Sequence, residues 1–146
     1  MTPEVTLRDV LDDDLPIFFE QQNDPIANEM AAFPAREREA FMAHWAKNLR
    51  NPNAIHKTIL YNGEIAGNIV GFDMEGQREV GYWLGREFWG KGIASKALAE
   101  FLKYETTRPL HGVTIKHNIG SQQVLKKCGF EYERQENDEL FFVLNA

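Results

Sequence analysis

The chain has 146 residues, 43% of them hydrophobic and 26% charged, enough for one domain with a substantial core and too few for two. A formal charge of −6 speaks against nucleic acid or an anionic membrane surface as a general partner and favours a cationic substrate. No apolar run approaches the roughly 20 residues of a membrane span, the opening Met1-Thr2-Pro3-Glu4 lacks the pattern of a secretion signal, and the single cysteine, Cys128, allows no internal disulfide, so a cytoplasmic location is expected.

Val5-Thr6-Leu7-Arg8 alternates and reads as a short opening strand. Asp12, Asp13 and Asp14 then supply a cap and an acidic first turn for a helix carrying Leu15, Ile17, Phe18 and Phe19, and Asn23-Asp24-Pro25 ends it. That acidic run complements a helix dipole; it has no histidine or further acid at metal-ligand spacing. Residues 26–34 have weak helical character. Residues 36–50 form a clearer helix, with Phe41, Trp45 and Leu49 on successive turns before Asn51-Pro52-Asn53. Three strands follow at residues 55–61, 64–73 and 77–84, joined by Asn62-Gly63 and Met74-Glu75-Gly76, which makes an antiparallel meander.

The last of these strands, with Glu79-Val80-Gly81-Tyr82-Trp83-Leu84, leads through a turn into Trp89-Gly90-Lys91-Gly92-Ile93-Ala94-Ser95. A helix over residues 95–105 follows, marked by Ala97, Leu98, Phe101 and Leu102. A strand running into a glycine loop and a helix start leaves amides pointing one way with the helix dipole behind them, which suits a phosphate; an ordinary strand-to-helix turn is the other reading. Gly90 and Gly92 admit a bulky anion close to the backbone, and Ser95 can cap or donate to it. The loop is neither a Walker motif nor a Rossmann fingerprint.

After Arg108-Pro109, residues 112–117 read as a strand returning beside residues 77–84 through the helix, hence parallel to it. Asn118 and Ser121 stand ahead of Val124, Leu125 and Cys128 on a short helix closed by Gly129, and residues 130–134 and 140–144 end the chain as a hairpin. Asn118 or Ser121 caps the helix, contacts a ligand, or does both. Cys128, among apolar neighbours, reads as packing rather than a nucleophile. His44, His56, His111 and His117 show no zinc spacing, so no metal is expected, and Gly-x-Ser-x-Gly is absent.

Trp89-Gly90-Lys91-Gly92-Ile93-Ala94, together with Asn118-x-x-Ser121 before Gly129-Phe130, resembles the GNAT N-acetyltransferase superfamily, most closely the branch that acetylates ribosomal-protein N-termini. Two motifs in the right order are more specific than either alone; the likeness is strong over about residues 79 to 133 and weak elsewhere. It implies a single α+β domain over residues 1–146. The fold would be a mixed, largely antiparallel twisted sheet of about six or seven strands, with a central splayed parallel pair and about four flanking helices.

The resemblance further implies acetyl-CoA as co-substrate. Its pantetheine arm would pair with the edge of Tyr82, Trp83 and Leu84, its diphosphate would lie on residues 90–95 of the cofactor-binding loop that starts at Trp89, and Asn118 would hydrogen-bond the arm. Glu79 becomes the candidate base that deprotonates the attacking amine, the alternative being a strand-face carboxylate paired with Arg78 or Lys116 or simply solvated. Backbone amides near Trp83 or Leu84 would polarise the thioester carbonyl, and Ser121 would donate to the departing sulfur. The position where other members carry an acidic tyrosine is Leu125, so water or Tyr82 are further candidates for that donor. Phe33 and Trp45 become candidate acceptor contacts, against the reading that aromatics on a helix stripe belong to the core.

Two functions remain: transfer of an acetyl group to a small-molecule amine or a peptide N-terminus, and an acyl-CoA sensor or interaction domain of the same fold without catalysis. No motif specifies the acceptor or the oligomeric state; a homodimer is compatible with the chain.

Overall fold

The turns that organise the sheet are dictated locally. Asn62 and Glu75 adopt φ of 50° and are followed by Gly63 at 86° and Gly76 at 82°, a pair of left-handed residues at each tip, a conformation that asparagine and glycine accept cheaply and Glu75 less so. They join β2 (Ile55–Tyr61), β3 (Glu64–Met74) and β4 (Gln77–Leu84) as the expected meander. This is a computed structural model, and it describes residues 4–32 and 34–146. With β1 (Val5–Asp9), β5 (Leu110–Ile115), β6 (Glu131–Glu136) and β7 (Glu139–Leu144) the meander forms one seven-stranded sheet in the order β1-β2-β3-β4-β5-β7-β6. Among the described residues, only β4 and β5 run parallel.

Among the described residues, five α-helices cover the two faces. Helices α1 (Leu15–Gln22), α2 (Pro25–Ala31) and α3 (Arg38–Leu49) precede the meander. Leu15, Phe18, Phe41 and Trp45 of α1 and α3 build one apolar cluster, with Val70 of β3 against it. Helices α4 (Ile93–Phe101) and α5 (Ile119–Lys127) lie on the other face, where Ala97, Leu98, Phe101 and Leu125 pack with Ile59, Ile69, Val80 and Leu110 of the sheet. Alternation along β4 puts Val80 and Leu84 in this larger core and turns Glu79, Gly81 and Trp83 to the α1 side.

Three local expectations change. The β5 strand begins at Leu110 and stops at Ile115, because Leu110 pairs with both Arg78 and Leu144; His117 therefore stands in the turn beyond it. Helix α4 ends at Phe101, which lets Glu105 turn inward and accept a 2.6 Å hydrogen bond from Arg78 Nε at the closed end of the β4–β5 pair. Asp14 is more than a dipole partner. It is 2% exposed and docks α1 onto the sheet, accepting from Arg8 Nη1 and Nη2 at 2.7 and 2.9 Å, from the Leu11 amide at 2.9 Å and from the Thr58 hydroxyl at 2.7 Å. Among the described residues, no helix is long and apolar enough to cross a membrane.

Candidate active site

β4 and β5 stay paired only at Arg78–Leu110 and Glu79–His111, and beyond that point they diverge. The gap opens into a cleft of about 820 Å³, walled by the rest of β4 and β5, the glycine loop with the start of α4, the start of α5, and Ala27, Met30 and Ala31 of α2. Gly85 donates its amide to Ala66 at 2.9 Å, and the antiparallel ladder alternates from there. The backbone groups of Trp83 therefore face β3 and those of Tyr82 and Leu84 face the gap. Gly67 reports the same arrangement: a Cβ there would collide with the Trp83 carbonyl. The expectation of three free residues along this edge is thus reduced. Trp83 spends its backbone on β3, and the Leu84 carbonyl already accepts from Trp89 Nε1 at 3.2 Å.

That indole contact pins the glycine loop to the end of β4. Gly90 and Gly92 have φ of 75° and 76°, and Gly92 is the N-cap of α4 with no side chain capping the helix. The first amide of the loop-to-helix run to find a backbone acceptor is Lys96, on Gly92 at 3.3 Å. From Gly90 through Lys91, Gly92, Ile93 and Ala94 to Ser95, no amide has a hydrogen-bond partner among the described residues. Six consecutive donors at a helix N-terminus form an anion cradle. Ile93 is anchored in the core and Ala94 is half-buried, whereas the Lys91 side chain is exposed and lines no part of the cleft. Ser95 does not cap α4. Its carbonyl accepts from the Cys128 thiol at 3.4 Å, and burial raises the pKa of that thiol, so Cys128 stays protonated and packs as expected.

Across the gap, Tyr82 donates its hydroxyl to Ser121 Oγ at 3.1 Å, linking β4 to α5. Burial raises the Tyr82 pKa and keeps the phenol a donor. Asn118 is the N-cap of α5, its Oδ1 accepting from the Ser121 amide at 3.2 Å, so the capping reading holds for that oxygen; both residues also line the cleft. Glu79 sits on the α1-side face at the closed end of the gap and does not line the cleft. Arg78 and Lys116, its suggested partners, are engaged by Glu105 and Asp138. Its pKa is raised, first by burial and then by the charges of Glu75 and Glu139.

The acceptor side differs from expectation. Trp45 is 7% exposed, with its ring 5.1 Å from Phe18 and 5.7 Å from His56, and it is core rather than cleft wall. Phe33 lies outside the described residues. The aliphatic wall on that side is α2, which the sequence marks only by Asp24 capping the Ile26 amide and Pro25 at the first helical position. Among the described residues, no group of three or more His, Cys, Asp or Glu side chains could hold a metal ion.

Residues 4–131 match the family model described as acetyltransferase (GNAT) domain. The chain is similar to YdaF of Bacillus subtilis (strain 168), a provisionally named ribosomal N-acetyltransferase, with 29% identity over 111 residues; the match covers 71% of this chain and 61% of that protein. The fold is also that of RimL, a ribosomal L7/L12 α-N-protein acetyltransferase in complex with coenzyme A (TM-score 0.80, 18% identity, 97% of this chain and 93% of that one). It is shared by the microcin C7 self-immunity acetyltransferase MccE in complex with acetyl-CoA and AMP (TM-score 0.78, 20% identity, 98% and 93%). Divergent central strands, an uncapped glycine loop and a family match over most of the sequence agree, and the chain belongs to the GNAT acetyltransferase family.

Proposed function

We propose that the cleft binds acetyl-CoA and that the protein transfers the acetyl group to a primary amine, on a peptide N-terminus or a small molecule, by direct attack in a ternary complex. The carrying observation is the continuity of two sites: a strand edge in the β4–β5 gap leading to six unpartnered amides. An extended arm with amide groups, ending in a diphosphate, matches both parts. RimL and MccE, which bind coenzyme A and acetyl-CoA, have the same fold and support this reading.

Bound acetyl-CoA supplies an activated acyl group as a thioester. The amides of residues 90–95 hold its diphosphate, and the backbone of Tyr82 and the amide of Leu84 hold its arm and polarise its carbonyl. Tyr82 donates to Ser121 Oγ, which leaves the Ser121 proton to be given to the sulfur. Glu79 takes the proton of the ammonium acceptor through water, since it stands behind the cleft rather than in its wall; its raised pKa makes it a better proton acceptor than an ordinary glutamate.

Calorimetry with coenzyme A, followed by thiol release from acetyl-CoA against a panel of amines and N-terminal peptides, tests the proposal. Binding with amine-dependent thiol release is expected. Binding without release on any acceptor would leave an acyl-CoA-binding domain, and no binding at all would remove the cofactor assignment.

A further inference from the structure

Helix α2 walls the cleft with Ala27, Met30 and Ala31, yet little apolar burial holds it there. Ala27 is its one buried residue, while Ile26 is 52% and Met30 37% exposed. Besides a 2.9 Å hydrogen bond from Asn28 Nδ2 to the Gln22 carbonyl, which links it back to α1, two polar ties fasten it across the cleft. At its start, Asp24 uses Oδ1 to cap the Ile26 amide at 3.0 Å and Oδ2 to meet Arg86 Nε at 3.1 Å. Near its end, the Glu29 carbonyl lies 3.1 Å from His117 Nε2, a contact between residues 88 positions apart. A carbonyl can only accept, so that ring nitrogen carries a proton whether the imidazole is neutral or charged.

The two anchors occupy related places. Arg86 follows the end of β4 and His117 follows the end of β5, the two strands that diverge. Helix α2 is thereby fastened to both lips of the gap, beside the turn that carries Asn118 and Ser121. We propose that α2 is a strap across the acyl end of the cleft, and that Arg86 and His117 are positioning residues that hold it shut against water. This rests on the reading of the cleft as an acetyl-CoA site. A helix held mainly by an ion pair and two hydrogen bonds rather than by a core opens locally at small cost, which lets substrates exchange. With the ties cut, the strap opens more often, water reaches the thioester, and acetyl-CoA breaks down to acetate and free thiol without an amine.

Hydrogen exchange of the full chain, measured by mass spectrometry without ligand, tests the strap directly in Arg86→Ala, His117→Ala and the double variant. Each single substitution is expected to speed exchange in Pro25–Ala31 up to about fivefold and the pair up to about 25-fold, the size of one ion pair and one ordinary hydrogen bond. Exchange in β3 and α4 should stay unchanged, which separates the effect from general unfolding. His117→Gln keeps an N–H donor and should stay close to wild type. Acetyl-CoA breakdown without amine should rise in the same order as α2 exchange. Wild-type exchange rates in the double variant overturn the strap, as does a His117→Gln variant exchanging as fast as His117→Ala. If the wild-type protein binds no coenzyme A, the cofactor reading fails, and the exchange comparison still decides whether α2 is tied in this way.

Discussion

A carboxyl half-sunk in a sheet, with two others facing it, gives up its proton less readily than one in water. Glu79 is in that position, and burial first, then the charges of Glu75 and Glu139, raise its pKa above the ordinary carboxylate value. If it accepts the proton of the amine, kcat/KM rises with pH through that elevated value, because only the ionised form is a base. Glu79→Gln should lower kcat/KM about a hundredfold and abolish this acidic limb, as a pH–rate profile will record. A second residue-scale unit is the Tyr82–Ser121 pair. Ser121→Ala should lower kcat by about a hundredfold or more, Tyr82→Phe by about tenfold, and the double variant no further than Ser121→Ala alone. Additive losses in steady-state kinetics would mean that the two hydroxyls act separately. Asn118 and the glycines of the loop are recognisable from spacing because what the structure shows of them is local, a cap and a backbone conformation. Trp45 is not, because a helix stripe has the same spacing whether it meets a core or a ligand.

At the scale of elements, the function rests on a strand, a loop and a helix whose amides are left over. Gly92 has φ of 76° with open space around its Cα, so Gly92→Ala meets no steric neighbour and its cost is conformational, about 1 kcal/mol in the left-handed region. The residue avoids that cost by reshaping the loop, which turns amides away from the cradle. Coenzyme A affinity should fall by about fivefold while the melting temperature moves by only a few degrees; calorimetry and thermal unfolding on one preparation separate the two. The β2–β3–β4 meander follows from its turn residues with boundaries nearly unchanged, since an Asn-Gly or Glu-Gly tip fixes hairpin register locally. β5 begins two residues earlier than its own pattern suggests, because Leu110 gains partners on both sides only once the sheet is assembled.

The whole molecule is held on its α1 side by groups that titrate. Burial pushes the Asp14 pKa upward but is outweighed by hydrogen bonds from Arg8, the Leu11 amide and Thr58, so the net effect lowers it from its ordinary value. The stability Asp14 adds is therefore present above its unfolded value and lost as pH falls through the folded one. Burial lowers the pKa of His44 and His56 below 6.5, and Asn48 Nδ2 lies 2.8 Å from His44 Nε2, a contact in which the amide donates to an unprotonated ring nitrogen. Protonating these histidines favours the unfolded chain, so stability falls as pH drops below about 6.5. Melting temperature against pH should decline gently from pH 7 to 5 and steeply below about 4. A curve flat to pH 3 would contradict this account.

Sequence by itself determined what depends on neighbours along the chain: the hairpin tips, the glycine loop opening into α4, the Asn118 cap, and a parallel return through a helix that places two strands side by side. Those features rest on φ preferences, capping and alternation, which act over a few residues. Tertiary structure alone decided that Trp83 gives its backbone to β3, that Trp89 occupies the Leu84 carbonyl, that Trp45 is core, and that α2 reaches Arg86 and His117 across the gap. All but the Trp89–Leu84 contact, which spans five residues, join separate segments of the chain, and their partners are fixed by how the sheet and helices dock rather than by any local pattern.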